Sequence, residues 1–392
     1  MFRIVRSNAA AIILALLFFS CVTEKNIVPG PQIPEADLPP APEAIPPSYL
    51  TLIAAGDNLY HDTMIRPPAG GVYDFTENYS EIRPFIEKAD IAFINQETLL
   101  GGTEFGFSGY PRFNSPQELG AAVAGAGFDI INHATNHIMD KGEKAVFATM
   151  DYWDAVPGIR YLGIRRSEEA AREPVIVERN GIRIGFLSYT YGTNGLPVPK
   201  DKPWLVALIN DGNMAEDMDA LRPLCDFLIV SMHWGNEYEH EPAAAQKRAA
   251  RLLAEHGADL ILGHHPHVIQ PAEYIQGPGG KTLCFYSLGN FLSGQIKNNT
   301  LLGALAYIRI KKEGGRAFID QSGVIPVVTH YETGFTNFRV YPLSEYTDDL
   351  AKRHQSRRPE NEISVSYFTA LSEKIFPAEI LKENPFTFKR PE

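Results

Sequence analysis

Short runs of apolar residues alternate with longer stretches of helical character from Tyr49 onward. Apolar runs of this length, bounded by turn residues, are typical of strands that are buried on both faces of a sheet. Strands that alternate with helices indicate an α/β fold. We predict buried strands over Tyr49 to Ala55, Ile91 to Asn95, Asp129 to Asn132, Phe227 to Met232, Leu260 to Gly263 and Leu283 to Ser287.

Helix starts and a hairpin complete this pattern. Ser115-Pro116-Gln117-Glu118 has the N-cap residue, N1 proline and capping-box glutamate of a helix start, and a second helix could begin between Asp140 and Glu143. Asn180-Gly181 lies between two alternating runs and predicts a hairpin with a type I′ turn. Residues 304–311 and 317–328 read as two more strands around Gly314-Gly315. The fold therefore gains an antiparallel component.

The first 48 residues differ in composition from the rest. Arg3 and Arg6 precede an apolar stretch from Ala9 to Phe19, which is shorter than a bilayer span of about 20 residues. Residues 17–21 resemble a bacterial lipoprotein signal box, in which Cys21 would carry the lipid. Residues 22–48 are rich in proline and predict an extended tether. We expect residues 1–21 to be a signal peptide and the protein to be a membrane-anchored lipoprotein of the cell envelope, facing outside the cytoplasm, with an uncleaved anchor or simple secretion as alternatives.

Charge and cysteine content narrow the class of protein. The net charge is −11, and the acidic residues are not gathered into long blocks. This balance argues against nucleic acid as a partner, and an anionic substrate would need locally placed cations. Apart from Cys21, the chain contains Cys225 and Cys284, which lie in apolar, strand-like runs typical of buried thiols.

Polar side chains follow each of the first five predicted strands. The densest group is Gly263-His264-His265-Pro266-His267, where three of the eleven histidines occupy four positions. A His-x-His pair can present two neutral nitrogens to adjacent metal ions. Because sites in open α/β sheets lie outside the carboxyl ends of strands, we expect these groups to converge on one side of the sheet. Carboxylate, amide and imidazole ligands suit Mn, Fe or Zn. The group comprises Asp57, Asn95, Glu97, residues 132–137, His233, His265 and His267.

Each of these residues also has a purely structural interpretation. Asp57 could cap a turn, Asn136 and Asp140 could cap helices, and His233 beside Trp234 could be a packed histidine. One metal site accounts for all five strand ends, whereas the structural interpretation needs five separate explanations. The remaining histidines and a charged cluster, which we interpret as solvated, receive no role: His61, His133, Glu237, Glu239, His240, Glu241, His256, His330 and His354.

Six motifs in order, between about residues 50 and 295, resemble the CapA/PgsA-type poly-γ-glutamate capsule biosynthesis family. That family is in turn similar to the calcineurin-like metallophosphatases. The resemblance implies a four-layer αββα sandwich over residues 49–345, with a C-terminal extension over residues 346–392. The motifs are Gly56-Asp57, Asn95-Gln96-Glu97, Thr135-Asn136-His137 with Asp140 and Gly142, His233-Trp234-Gly235 with Glu237, Gly263 to His267, and Ser287-Leu288-Gly289-Asn290-Phe291.

The same resemblance implies a role for each polar residue. It implies two divalent metal ions, with Glu97 in the place of the bridging aspartate of the phosphatases. The implied general acid is His137, which Asp140 could orient, although Asp140 could equally cap a helix. The His-x-His spacing favours His265 over His264 as a ligand. The implied ligands are Asp57 and His267 for the first ion and Asn136, His233 and His265 for the second.

Two departures from the phosphatase pattern affect the first ion. No Asp-x-His follows the first strand, where His61 comes four residues after Asp57, and Asn95-Gln96-Glu97 replaces the usual Gly-Asp-x-x-Asp. We expect an envelope-tethered, metal-dependent hydrolase or transferase of an anionic polymer such as poly-γ-glutamate, acting with the membrane subunits of a capsule synthase. The alternatives are a non-catalytic polymer-binding or export subunit of that synthase, which the weakened first site would fit, and a phosphodiesterase.

Overall fold

Two β-sheets lie at the centre of the protein, whose computed structural model describes residues 46–68 and 70–381. The predicted signal peptide over residues 1–21 and nearly all of the predicted tether lie outside the described residues, as do residues 382–392. The strands are β1 (Ser48–Leu59), β2 (Ile91–Gln96), β3 (Ile130–Asn132), β4 (Arg160–Leu162), β5 (Val175–Arg179), β6 (Ile182–Thr190), β7 (Phe227–His233), β8 (Leu260–His264), β9 (Ala272–Gly277), β10 (Gly280–Phe285), β11 (Asn290–Ser293), β12 (Leu302–Glu313), β13 (Arg316–Glu332) and β14 (Thr336–Pro342). The α-helices are α1 (Arg83–Ile86), α2 (Glu118–Gly125), α3 (Gly142–Asp154), α4 (Glu168–Arg172), α5 (Asp211–Leu221), α6 (Ala244–Glu255), α7 (Asp348–Arg353), α8 (Val365–Ile375) and α9 (Ala378–Leu381).

The first sheet has the strand order β14-β13-β12-β1-β2-β3-β4, and β11 also pairs with β1. Strands β1 to β4 run parallel, whereas β12 to β14 are antiparallel. The long strands predicted around Gly314-Gly315 are β12 and β13, so that prediction is confirmed. They extend the parallel half of the sheet with an antiparallel half.

The second sheet has the order β5-β6-β7-β8-β10-β9. Its centre is parallel, and antiparallel pairs close both edges. The β5–β6 hairpin turns at Asn180 and Gly181, whose φ angles of 53° and 73° are those of a type I′ turn. The predicted hairpin is therefore confirmed, and so is the buried character of β7 and β8, in which every residue is buried.

Alternate residues of the second sheet face two different apolar layers. Phe227 and Ile229 of β7 belong to the core between the two sheets. Leu228 and Val230 belong to a second cluster, which Met214 and other residues of α5 and α6 complete. Helices α2 and α3 contribute residues to the core of the first sheet. The layers are thus helix, sheet, sheet and helix, which confirms the expected αββα sandwich.

A helix follows Ser115 as predicted, but its predicted cap is wrong. Helix α2 begins at Glu118, and no side chain caps it. The hydroxyl of Ser115, which we expected to cap this helix, is instead hydrogen-bonded to the hydroxyl of Thr98 at 2.9 Å. The bond to Thr98 therefore takes the place of a bond from Ser115 to the helix backbone. Both hydroxyls are fully buried.

Helices α7 to α9 lie in the C-terminal segment, for which the sequence gives no role. Phe368, Phe376 and Ile380 of this segment belong to the main core, next to residues of β13. Cys225 and Cys284 are free and buried, as expected. Among the described helices, none combines the length and the apolar character that a bilayer crossing requires.

Candidate functional site

The site lies where the carboxyl ends of β1, β2 and β3 in the first sheet meet those of β7 and β8 in the second. Asp57 is in register with Asn95, which is in register with Asn132. In the second sheet, His233 is in register with His264. We expected the strand ends to meet at one sheet, but three come from one sheet and two from the other.

Irregular backbone places the histidines after β8. His265 and His267 have φ angles of 96° and 59°, which residues other than glycine rarely adopt. The backbone N–H of His265 points at the Asp57 carboxylate, 3.2 Å from Oδ2. Strained backbone of this kind persists only where its surroundings fix it, and it is concentrated at functional sites.

Asp57, Glu97 and His267 form the first of two buried groups whose ligand-type atoms lie within 4.8 Å of one another. Nδ1 of His267 is 3.1 Å from Oδ2 of Asp57 and 3.9 Å from Oε2 of Glu97. The amide of Asn95 donates to Oδ1 of Asp57 at 2.8 Å, and the side-chain oxygen of Asn290 is 3.1 Å from Nδ1 of His267. Both neighbours orient the ligand-type atoms.

Glu97, His233 and His265 form the second group. Nε2 of His233 is 3.6 Å from Oε1 of Glu97 and 2.8 Å from Oδ1 of Asn136. The imidazole rings of His233 and His265 are 4.9 Å apart. Glu97 is common to both groups, which is the position that a bridging ligand would take.

The donor atoms of this cluster fit a bound cation. Both carboxylate oxygens of Glu97 are buried without a hydrogen-bond partner among the described residues, and so is Nδ1 of His265. A buried carboxylate without a partner is costly, because neither water nor a hydrogen bond stabilises its charge. Carboxylate and imidazole atoms that converge on one point form the donor set of a site for Mn, Fe or Zn.

The electrostatics of the cluster lead to the same conclusion. Burial raises the pKa of the Glu97 carboxyl well above its usual value, and the neighbouring Asp57 carboxylate raises it further. Burial alone would lower the pKa of His267, but Glu97 and Asp57 raise it to about 9. Burial lowers the pKa of His265 to about 3, which leaves that imidazole neutral and able to bind a metal. Two adjacent carboxylates therefore favour positive charge between them.

His137 and Asp140 form a buried pair beside these groups. Nδ1 of His137 is 2.8 Å from Oδ2 of Asp140, and the same oxygen accepts a bond from the backbone N–H of Phe113 at 2.7 Å. Helix α3 begins at Gly142 without any side-chain cap, so the capping role considered for Asp140 is excluded. Asn136 likewise precedes no helix and bonds His233 instead. Asp140 fixes the orientation of the His137 ring.

The structure adds residues that the sequence did not reveal. Glu237, interpreted as part of a solvated cluster, lies with His265 and His267 in a third ligand-type group within 4.8 Å. Its loop is held in place because the backbone N–H of Tyr238 donates to the carbonyl of Pro266 at 2.8 Å. Asn194 accepts a bond from the amide of Asn136 at 3.1 Å. In the sequence, the only indication of a role for Glu237 was its place in the same family motif as His233.

Two other histidines lie close to the site without joining these groups. His264 is fully buried, with Nδ1 3.7 Å from Oδ1 of Asp57, and it stacks on Phe93. His61 has a ring centroid 5.4 Å from that of Phe113, which is 4.6 Å from the ring of His137. His133 points elsewhere and accepts a bond from the indole N–H of Trp153 at 2.8 Å. None of these three histidines belongs to a ligand-type group of the described residues, although both ring nitrogens of His264 are buried without a hydrogen-bond partner there.

Comparison with known proteins relates this chain to proteins that are named for capsule synthesis. The PGA biosynthesis protein CapA of Bacillus subtilis is 32% identical over 215 residues, covering 53% of this chain and 52% of that protein. The capsule biosynthesis protein CapA of Bacillus anthracis is 31% identical over 219 residues, covering 55% of this chain and 51% of that protein. The matches span about half the length of these relatives.

Similarity to solved structures is more distant, as one example shows. It is the calcineurin-like phosphoesterase YfkN from Bacillus subtilis, with a TM-score of 0.41 and 14% identity over 72% of this chain and 91% of that one. A likeness this distant says nothing about activity. The description "Bacterial capsule synthesis protein PGA_cap" belongs to the family that matches residues 51–295, a stretch that includes all six motifs. Since this match covers more than half of the chain, the protein belongs to the bacterial capsule synthesis protein PGA_cap family.

Proposed function

We propose that this protein is a metal-dependent hydrolase or transferase that acts on an anionic polymer of the cell envelope, of the poly-γ-glutamate kind. The observation that carries the proposal is the pair of buried ligand-type groups that share Glu97. A purely structural role would not explain why the Glu97 carboxylate is buried without a hydrogen-bond partner beside three imidazoles. The names of the Bacillus relatives support the polymer class.

The residues that would hold the ions are Asp57, Glu97 and His267 on one side and Glu97, Asn136, His233 and His265 on the other. Bound divalent ions would act as Lewis acids toward a carbonyl or phosphoryl oxygen and would make water a stronger nucleophile. Asn95 and Asn290 hold Asp57 and His267 in place for this task. Orientation of ligands by such neighbours raises metal affinity.

His137 is the proposed proton donor to the leaving group. Its Nδ1 is engaged by Asp140, so Nε2 is the nitrogen left to hold and deliver a proton. The Asp140 carboxylate fixes the orientation of the ring, as a carboxylate does for a catalytic histidine in other hydrolases. Phe113 packs edge-on against the ring, with centroids 4.6 Å apart, and limits its rotation.

Metal content and turnover of the purified protein test the proposal together. We expect about two divalent ions per chain by elemental analysis, because two ligand groups are present. We also expect cleavage of a γ-linked oligoglutamate or of a phosphoester, lost on chelation and restored by metal. Full turnover by the chelated protein would contradict metal dependence. Bound metal without turnover of either substrate would instead favour the non-catalytic polymer-binding subunit.

We also propose that lipid on Cys21 anchors the protein outside the cytoplasm. The support is the basic, apolar and Cys-terminated pattern of residues 1–21, followed by the proline-rich tether. Full-length protein expressed in its host should fractionate with membranes, and Cys21→Ser should move it to the soluble fraction. Cys225→Ala, which removes a buried thiol elsewhere, should leave the distribution unchanged. Membrane retention of Cys21→Ser would refute lipidation as the anchor.

A further inference from the structure

Three exposed tyrosines surround the imidazole cluster. Tyr191 is 46% exposed, yet its ring centroid is 4.6 Å from that of His265. Tyr238 is 40% exposed, with its ring 6.1 Å from that of His267. Tyr110 is 72% exposed and contacts Phe113, the ring that packs on His137. Large exposed side chains of this kind are costly in water and mark binding surfaces when they cluster.

A lysine without a carboxylate partner lies against one of these rings. Nζ of Lys297 is 5.0 Å from the ring centroid of Tyr238, and no ion pair is formed by this ammonium group among the described residues. The adjacent Ile296 is 57% exposed. Tyr238 and Lys297 thus place an aromatic face and a positive charge together at the edge of the site, next to His267.

Two more cations lie beside the His137–Asp140 pair. Arg112 and Lys141 line a cleft of about 520 Å³, of which Asp140, Leu196 and Pro197 form other parts of the wall. Within residues 46–68 and 70–381, neither cation forms an ion pair with a carboxylate. In a protein of net charge −11, unpaired cations next to both parts of the site meet the need for local positive charge.

We propose that Tyr110, Tyr191 and Tyr238, with Lys297, Arg112 and Lys141, form the binding track for a γ-linked glutamate chain across the site. Each repeat of such a chain carries one free carboxylate and two backbone methylenes between amides. Lysine and arginine pair with the carboxylates, while the tyrosine faces pack on the methylenes. This inference rests on the proposed function, because it identifies how the same site would select its polymer.

The track explains how an acidic surface accepts a polyanion. Glu237 adds negative charge near Tyr238, and its carboxylate lies within 4.8 Å of the ring nitrogens of His265 and His267. Neutral aromatic surface with cations at two points suits a chain with regularly spaced charges.

Binding of a labelled γ-linked oligoglutamate to the purified protein, followed by fluorescence anisotropy, tests the track without requiring turnover. Lys297→Gln and Tyr238→Ala should each weaken binding roughly three- to fivefold, since exposed ion pairs and partly exposed aromatic contacts are individually modest. Combining Lys297→Gln with Arg112→Gln should weaken it roughly tenfold and reduce its salt dependence. For variants that turn the polymer over, KM should rise while kcat stays unchanged.

Two matched controls have the same chemistry away from the track. Lys281→Gln removes an exposed lysine at the start of β10, and Tyr274→Ala removes a tyrosine of β9 that is 46% exposed. Equal binding by wild type and the track variants, or equal losses in the controls, would overturn the inference. Oligomer binding that depends on the track in a protein without turnover would refute the proposed hydrolase and retain the track. Turnover without any dependence on these residues would do the reverse.

Discussion

Replacement of His233 by alanine is expected to lower the affinity of one metal position by at least about 100-fold while the fold remains intact. The side chain is fully buried and its Nε2 lies 3.6 Å from Glu97 and 2.8 Å from Asn136. Loss of residues that only orient a ligand already costs 10- to 100-fold in affinity, and loss of a ligand should cost no less. Elemental analysis of the purified variant measures the resulting loss of bound metal. Circular dichroism checks that the variant is still folded.

The His233→Ala domain should remain folded although it loses metal affinity. Removal of His233 leaves the Asn136 oxygen without that partner, a cost of about 1–3 kcal/mol against a typical domain stability of about 5–15 kcal/mol. His133→Gln is the matched control, because His133 is equally buried but accepts a hydrogen bond from the indole N–H of Trp153. Glutamine can still accept that bond. Retention of full metal content by His233→Ala, or equal metal loss in His133→Gln, would contradict the proposed ligand role.

Most strands could be predicted from the sequence because their burial is a local property of the chain. β7 and β8 are mainly apolar, and the Asn180-Gly181 turn determines its own conformation through two positive φ angles. The convergence of Asp57 with His267 was also accessible, since both follow predicted strands. Residues that follow parallel strands are expected to lie near one another even when they are far apart in the sequence.

The assignment of strands to sheets could not be predicted from local pattern. Buried parallel strands have the same composition in either sheet, so nothing in β7 or β8 indicates that they form a sheet separate from β1 to β3. The predicted N-cap role of Ser115 is wrong for a related reason, because its hydroxyl is bonded to Thr98, a residue of another segment. The resemblance to a known family implied the second sheet, which the predicted hairpin and the later strands only suggested.

The position of Glu237 shows the same limit for the site. An exposed glutamate among Glu239 and Glu241 has the composition of a solvated surface. Its loop is brought over the imidazoles by contacts made elsewhere, including the bond from the Gln270 amide to the carbonyl of Glu239 at 2.8 Å. Gly235, with a φ of 93°, allows the turn after β7 that starts this loop. Side-chain proximity here depends on tertiary contacts that no spacing reveals.

Gly263→Ala is expected to destabilise the fold by more than about 3 kcal/mol, the largest effect we predict for a single methyl group. A Cβ at this position would lie 2.0 Å from the carbonyl oxygen of Tyr286, a backbone atom that cannot rotate away. Gly263 sits in β8 directly before His264, and its own carbonyl accepts the backbone N–H of Leu288 at 3.1 Å. Separation of these segments would therefore displace His265 and His267 as well.

Urea unfolding, followed by tryptophan fluorescence, measures this loss, and soluble yield gives a first indication of it. Gly279→Ala is the matched control, since no atom lies within 4 Å of the added methyl group and the change should stay within about 0.5 kcal/mol. A Gly263→Ala protein as stable as the control would show that the β8 backbone can move without cost. The motif glycine would then have no packing role, and the position of the histidines would have to be fixed by their own contacts with Asp57.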